Sequence, residues 1–348
     1  MNKFIVLALL GGFLLTGAAC QKRKPNEAAA LEKKKQSDKS VAAVEQPSAS
    51  YSMLYSWLER YGEWIETDKY GFVWQPNEAQ RSRAWRPYLS GRWAFSDAGW
   101  LWISSEPFGW AVYHYGRWIR LRHVGWIWTP DEQWAPAWVS WRKSSEHIGW
   151  APLPPEARFD AQVGIRNWAD NYYEIGPDQY SFVPIEQFGA QRVGPTVLPS
   201  EENLALVNQT TNVTNLHVGR DTNVVLNHGP DFAELQRRTQ HPIERLRVAR
   251  RTVVRFLEEN PKPTIDGETI EMPAPILAQR RPAEKPKRVR EKLSYATIDR
   301  GWEMVVDSES AERVRMKIKS ESAPPEVAPA KAFVRQSRRG AKPVSAAP

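Results

Sequence analysis

Between residues 61 and 155 apolar and polar positions alternate in short runs, broken at regular intervals by Gly, Pro and Asp. Arg92–Phe95 and Trp100–Ser104 are rich in β-favouring residues, and Ser-Asp-Ala-Gly lies between them as a turn composition. Trp118–Leu121 and Trp126–Thr129 flank Arg-His-Val-Gly in the same way. Trp100 and Trp102 are two residues apart, as are Trp126 and Trp128, so in a strand each pair shares one face. Breakers follow at Glu106-Pro107, Pro130-Asp131, Pro136 and Pro152. This pattern predicts a mainly β fold: an antiparallel meander of Trp-rich hairpins, barrel- or sandwich-like.

The hairpin is repeated. SGRWAFSDAGWLW covers Ser90–Trp102 and YGRWIRLRHVGWIW covers Tyr115–Trp128, with an earlier degenerate copy at Tyr61–Trp74 and a truncated end at His147–Pro155. Trp93 and Trp118 are 25 residues apart, and Trp100 and Trp126 are 26 apart. A fixed period of this kind marks one duplicated supersecondary unit.

Beyond the repeats, 158–260 reads as a second, mostly β segment with one helix. Strands are expected at Tyr180–Pro184, Leu204–Asn208, Thr211–Val218 and Asn223–Asn227, with a turn at Gly219-Arg220-Asp221. A helix is expected over Asp231–Gln240, capped by Asp231 and stopped by Pro242. Ile243–Leu257 fits either a strand or an amphipathic helix. Residues 21–50 read as a flexible tether, with a transient helix at Glu27–Lys35. From Pro261 to Pro348 the chain is rich in Pro, Lys and Arg and reads as a largely disordered basic tail. Within it, Ser294–Ile318 has enough apolar content to order on contact.

Charge sharpens this picture. The net charge is +8, and the tail carries six of those eight charges, with 18 basic residues against 12 acidic. Clusters at Arg280–Lys292 and Arg335–Lys342 suit an anionic surface. The chain opens MNKFIVLALLGGFLLTGAAC, with Lys3 before a twelve-residue apolar run, which reads as a secretory signal over 1–20. Cys20, the single cysteine, follows small residues and resembles the lipobox of bacterial lipoproteins, with Gly17 where Leu is usual. That resemblance implies acylation of Cys20 and a membrane partner through the lipid. Gln21 in place of Asp implies an outer-membrane destination, facing the periplasm. The other reading of this segment is an ordinary signal peptide with a chance cysteine.

Fifteen of the seventeen tryptophans lie between Trp57 and Trp150. Each indole buries on the order of 200 Å², and a domain of about a hundred residues does not easily enclose fifteen of them. Two thirds are therefore expected in a core and one third in an exposed binding strip, with Trp100, Trp102, Trp126, Trp128, Trp134, Trp138 and Trp141 as candidates. Such a strip would contact cell-wall glycan or an envelope protein.

The runs YGRW, GWIW, EQWAPAWVSWR and GWAPLPP over about Tyr61–Pro155 resemble a family of exported bacterial proteins. Its members carry a Trp-rich domain of unknown function, sometimes beside FecR-type domains. The resemblance continues more weakly into Asn208–Pro230. It implies the hairpin architecture and an envelope location, and it supplies no catalytic residue.

No nucleophile elbow, Walker loop, dinucleotide fingerprint or HExxH helix occurs, so no cofactor is implied. The six histidines, among them His114 and His123, lack metal-ligand spacing. The expectation is a non-catalytic binding or scaffolding lipoprotein, with no catalytic or metal residue and no nucleic acid as partner. The alternative is a glycan hydrolase using two of Asp97, Glu106, Asp131 and Glu132, which must lie roughly 5 Å apart in a retaining enzyme.

Overall fold

The computed structural model describes residues 50–157, 170, 173–218, 224–252, 261–278, 281, 283–303 and 305–321. Cys20, the tether, the Gly219-Arg220-Asp221 turn and the tail beyond 321 lie outside the described residues.

The chain opens with helix α1 (Tyr51–Leu58), whose first turn is capped by the Ser50 hydroxyl accepting from Met53 N. Four hairpins follow. They are β1 (Gly62–Thr67) with β2 (Gly71–Pro76), β3 (Gly91–Ser96) with β4 (Gly99–Ser104), β5 (Arg117–Leu121) with β6 (Gly125–Thr129), and β7 (Val139–Lys143) with β8 (His147–Pro152). Short helices α2 (Asn77–Arg81) and α3 (Gly109–Val112) sit in the connections.

In every hairpin a tryptophan faces a tryptophan: Trp64 opposite Trp74, Trp93 opposite Trp102, Trp118 opposite Trp128, Trp141 opposite Trp150. In the first three hairpins the glycine two residues before the first member of the pair explains the recurring Gly-x-Trp. A Cβ on Gly62, Gly91 or Gly116 would lie 2.7 to 2.8 Å from the indole of Trp74, Trp102 or Trp128. Only a bare backbone lets the second-strand indole lie across the start of the first strand.

The later chain adds β9 (Ser181–Pro184), α4 (Asn203–Gln209), β10 (Thr211–Asn212), β11 (Leu216–Val218), β12 (Val225–Asn227) and α5 (Phe232–Arg238). It continues with β13 (Arg245–Arg251), β14 (Thr264–Asp266), β15 (Thr269–Pro273), β16 (Glu291–Leu293), β17 (Ile298–Asp299) and α6 (Ser308–Ser320). These strands attach to free hairpin edges and build three sheets. Their orders are β16-β1-β2-β6-β5-β17, β10-β7-β8-β9, and β11-β12-β4-β3-β13-β15-β14.

The expected mainly β meander is therefore corrected to a mixed architecture of three sheets, one a curled half-barrel, with several short helices. Parallel pairs enter where β16 joins β1, where β12 joins β4 and where β13 joins both β3 and β15. A hairpin pattern predicts its own pairing; it does not say which distant segment will satisfy its outer edges.

Three readings outside the hairpins also change. Leu204–Asn208 is helical: Asn203, Leu206 and Val207 are the buried positions of α4, a helical spacing that overrides the apparent alternation. Residues 245–251 of the ambiguous stretch form a strand, while α5 forms where expected, with Asp231 accepting from Glu234 N at 2.6 Å. The third change concerns the expected disordered tail, since the described residues from 261 to 321 supply β14 to β17 and α6. Helix α6 buries Ala311, Val314 and Ile318 on one stripe.

The six-stranded sheet is covered on both faces. Trp64, Trp74, Trp118 and Trp128 face the aromatic core, and Ile65, Val73, Ile119 and Ile127 face the other way. The second face is closed by Leu293, Ala296 and Ile298, from the segment that runs between edge strands β16 and β17. Five residue steps reach at most about 18 Å, less than the roughly 24 Å that five flat inter-strand gaps need. Curling brings the two edges within reach of this strap.

Candidate functional site

The tryptophans are a core. All seven candidates for the exposed strip, Trp100, Trp102, Trp126, Trp128, Trp134, Trp138 and Trp141, are buried, none more than 3% exposed. Several are tied inside by their indole N–H: Trp100 to Pro230 O at 2.9 Å, Trp128 to Tyr115 O at 2.8 Å, Trp138 to His114 O at 2.9 Å, and Trp141 to Asn227 Oδ1 at 2.9 Å. The expectation of a solvent-facing strip assumed that the repeats must cover their own indoles. Phe188, Phe232, Ala274 and Leu277, all from later in the chain, pack on the same cluster.

Trp85 is the exception among the fifteen, only half buried. It stands at a place where the described surface combines an aromatic wall with several cations. Three segments meet there: the stretch following α2, the β5–β6 turn and the strap. The turn is tight, with Gly125 at φ 100° and His123 in the left-handed region at φ 65°, a conformation that costs a non-glycine residue about 1 kcal/mol or more. Gln75, buried on β2, ties the turn to the residue that leads into β16. Its amide nitrogen donates to Val124 O at 2.7 Å, and its amide oxygen accepts from Arg290 at 2.9 Å. Arg83 fastens the turn from the other side by donating to His123 O at 2.9 Å.

These contacts frame two adjoining depressions. One, of about 470 Å³, is lined by Arg83, Arg122, His123, Arg290 and Tyr295 among others. Its neighbour, of about 220 Å³, shares Arg83, Arg122 and His123 and adds Trp85, Trp126 and Arg120. Trp126 thus lines a cavity, although almost none of its surface is open.

The cations differ in how far they are already neutralised. Arg120 is held between Asp178 at 2.6 Å and Asp299 at 2.8 Å. Arg290 pairs with Glu63 at 3.3 Å and Glu291 at 2.7 Å, and Arg122 pairs with Glu303 at 3.0 Å. Among the described residues Arg83 has no carboxylate partner, and it is exposed. A planar guanidinium with free donors beside an indole can take a carboxylate or phosphate group.

Residues 55–157 match a family of unknown function, DUF6600. This stretch is a DUF6600 domain. The chain matches no curated protein and no solved structure. All four hairpins and the β5–β6 turn belong to the DUF6600 domain, whereas the strap that closes the cleft comes from outside it.

The four candidate carboxylates of the DUF6600 domain each serve a different partner. Asp97 accepts from Val248 N at 2.9 Å, Asp131 from Gln133 N at 2.9 Å, and Glu132 from the Tyr51 hydroxyl at 3.3 Å. Glu106 accepts from the Tyr113 hydroxyl and from Trp85 Nε1 at 3.3 Å. Burial pushes its carboxyl up to about 7, against the lowering effect of those hydrogen bonds. His114 is buried with Nδ1 3.0 Å from Ala135 O, and burial pushes its pKa down to about 4.

Two buried arginines escaped the sequence reading, because Arg in a strand of alternating residues reads as solvent-facing. Arg117 is stacked on Trp138 at 3.1 Å and donates to Ala157 O at 2.8 Å. Arg142 is fully buried and bound to Asp170 and to Glu321. The Asn/Thr-rich stretch provides its surroundings: Thr210 accepts from Arg142, Asn212 bonds Asp170, and Thr214 accepts from Trp141 N. The one legible sign was Arg142 ending the apolar run WAPAWVSWR.

Proposed function

We propose that this protein is an envelope-anchored, non-catalytic binding protein whose tryptophan core rigidifies a cationic cleft for an anionic envelope glycan. The observation that carries this reading is the cleft itself. Arg83 lacks a carboxylate partner among the described residues and stands with Arg122, His123 and Arg290 around about 470 Å³, next to the half-buried Trp85. Indole and guanidinium side by side match a sugar bearing a carboxylate or phosphate. In this reading Cys20 is acylated, and its lipid holds the protein in the outer membrane, facing the periplasm. Part of the basic tail, Arg290 in particular, then belongs to the binding site.

The test is a titration of the full chain with purified peptidoglycan and outer-membrane glycans, read by tryptophan fluorescence. A saturable change that weakens with salt and is reduced in Arg83→Ala supports the cleft. Absence of retention and of any emission change with every glycan overturns it. For the anchor, Cys20→Ser should move the protein out of the membrane fraction.

A further inference from the structure

The chain that follows the strap and β17 lines a second cavity together with α6. Its volume is about 280 Å³, and its walls include Arg300, Trp302, Glu303, Arg315 and Lys319. Trp302 is half buried. Arg315 and Lys319 are four residues apart on α6 and therefore share a face. The Arg315 guanidinium stands 4.4 Å from the Trp302 ring, and its carboxylate partner Glu312 is 3.8 Å away, too far for a strong bond. Lys319 has no ion pair among the described residues. Here, as in the cleft, an indole sits with cations that remain open to an anion.

The two places are joined. Asp299 lines the smaller depression of the cleft and Trp302 lines this cavity, and three residue steps span at most about 10 Å. Arg122 of the cleft is paired at 3.0 Å with Glu303 of the cavity. At the far end of the strap Tyr295 is 96% exposed on the rim of the larger depression. Aromatic side chains thus flank cations at both ends of one short segment.

We propose that cleft and cavity are successive subsites for one linear polysaccharide that carries anionic groups at intervals along its length. The inference rests on the cleft binding an anionic glycan and adds the length and repeat of the ligand. Tyr295 and Trp302 offer ring faces to sugars, while Arg83 at one end and Arg315 and Lys319 at the other receive the charges. A polysaccharide is favoured over single-stranded nucleic acid, which also uses cations and stacking, because Glu174 and Glu303 line the second cavity. Carboxylates accept bonds from sugar hydroxyls, which a polysaccharide presents on every ring.

Oligogalacturonates of three and eight units test this on the full chain, measured calorimetrically at fixed salt. Two tethered subsites raise avidity, so the octamer should bind at least about tenfold more tightly than the trimer. Trp302→Ala should remove that gain and leave trimer affinity in place. Lys319→Gln, at an exposed helix position, should reduce the gain and serves if Trp302→Ala perturbs folding. Equal affinity for both lengths, or a gain that survives both substitutions, overturns the extended site and leaves the cleft standing. No binding of either length removes the cleft reading and this one with it. Tighter binding of a single-stranded oligonucleotide of matched charge overturns the assignment to a polysaccharide.

Discussion

Trp118 and Trp128 face each other across the β5–β6 hairpin, and each donates its indole N–H to the segment that enters it. Trp118 reaches Val112 O at 3.0 Å and Trp128 reaches Tyr115 O at 2.8 Å. Trp64 and Trp74 repeat the device in the first hairpin, on Tyr55 O at 3.2 Å and Leu58 O at 3.1 Å. A pair of this kind fixes both hairpin and connection. Trp128→Phe keeps an aromatic ring but leaves a void and an unmet buried carbonyl. It should cost about 2–3 kcal/mol, read as a lower urea midpoint with an unchanged slope. A loss below about 0.5 kcal/mol would count against the bond.

The repeat glycines can be separated from ordinary turn glycines. Gly116 is at φ 63°, and a Cβ there would lie 2.2 Å from Thr129 O. Gly267 has a similar φ of 55° with nothing within 4 Å. Gly267→Ala should cost only the left-handed strain, about 1–2 kcal/mol, and Gly116→Ala distinctly more. Equal thermal midpoints for the two variants would contradict the packing argument.

Arg142 is the buried link between the DUF6600 domain and the C-terminal helix. Besides Asp170, it donates to Thr210 O at 2.7 Å and to Glu321, at the end of α6, at 2.6 Å. Arg142→Ala leaves a buried carboxylate without its counter-charge and should destabilise by about 3–5 kcal/mol. Glu321→Ala is milder. Its expected signature is faster amide exchange confined to α6, whereas unchanged protection there would mean that α6 docks through Ala311, Val314 and Ile318 alone.

Glu106 makes stability depend on pH in an unusual direction. Its carboxyl is raised from an ordinary 4.5 to about 7 by burial, so the folded protein holds a proton that the unfolded chain releases. The contribution is fully present below pH 4.5 and is lost as pH rises to 7, about 3 kcal/mol in all. Glu106→Gln should lack this slope and overtake the wild type in stability above pH 7. Parallel urea midpoints for the two proteins from pH 4.5 to 7.5 would refute it.

The local order of the DUF6600 domain was legible because its cause is local. Gly-x-Trp, a turn with glycine, and a second tryptophan define a hairpin whatever surrounds it, and the period of 25 to 26 residues repeats it. Asp231 as a helix cap is legible for the same reason. Burial of the seven candidate tryptophans was not legible, since it depends on cover from Phe188, Phe232 and Leu277, far along the chain. Nor was the cleft: Arg83, Arg122 and Arg290 read separately as solvated charges, and Gln75 as an ordinary strand residue.

The sequence alone determined the hairpins, their duplication and the density of indoles, because backbone geometry and turn chemistry act over a few residues. The tertiary structure decided what the indoles are for. Edges left open by the hairpins are closed by segments from 181 to 299, and burial and charge clustering arise only when those distant strands arrive. A cationic cleft made of a turn, a strap and a buried glutamine has no contiguous signature, since its parts meet through packing rather than along the chain.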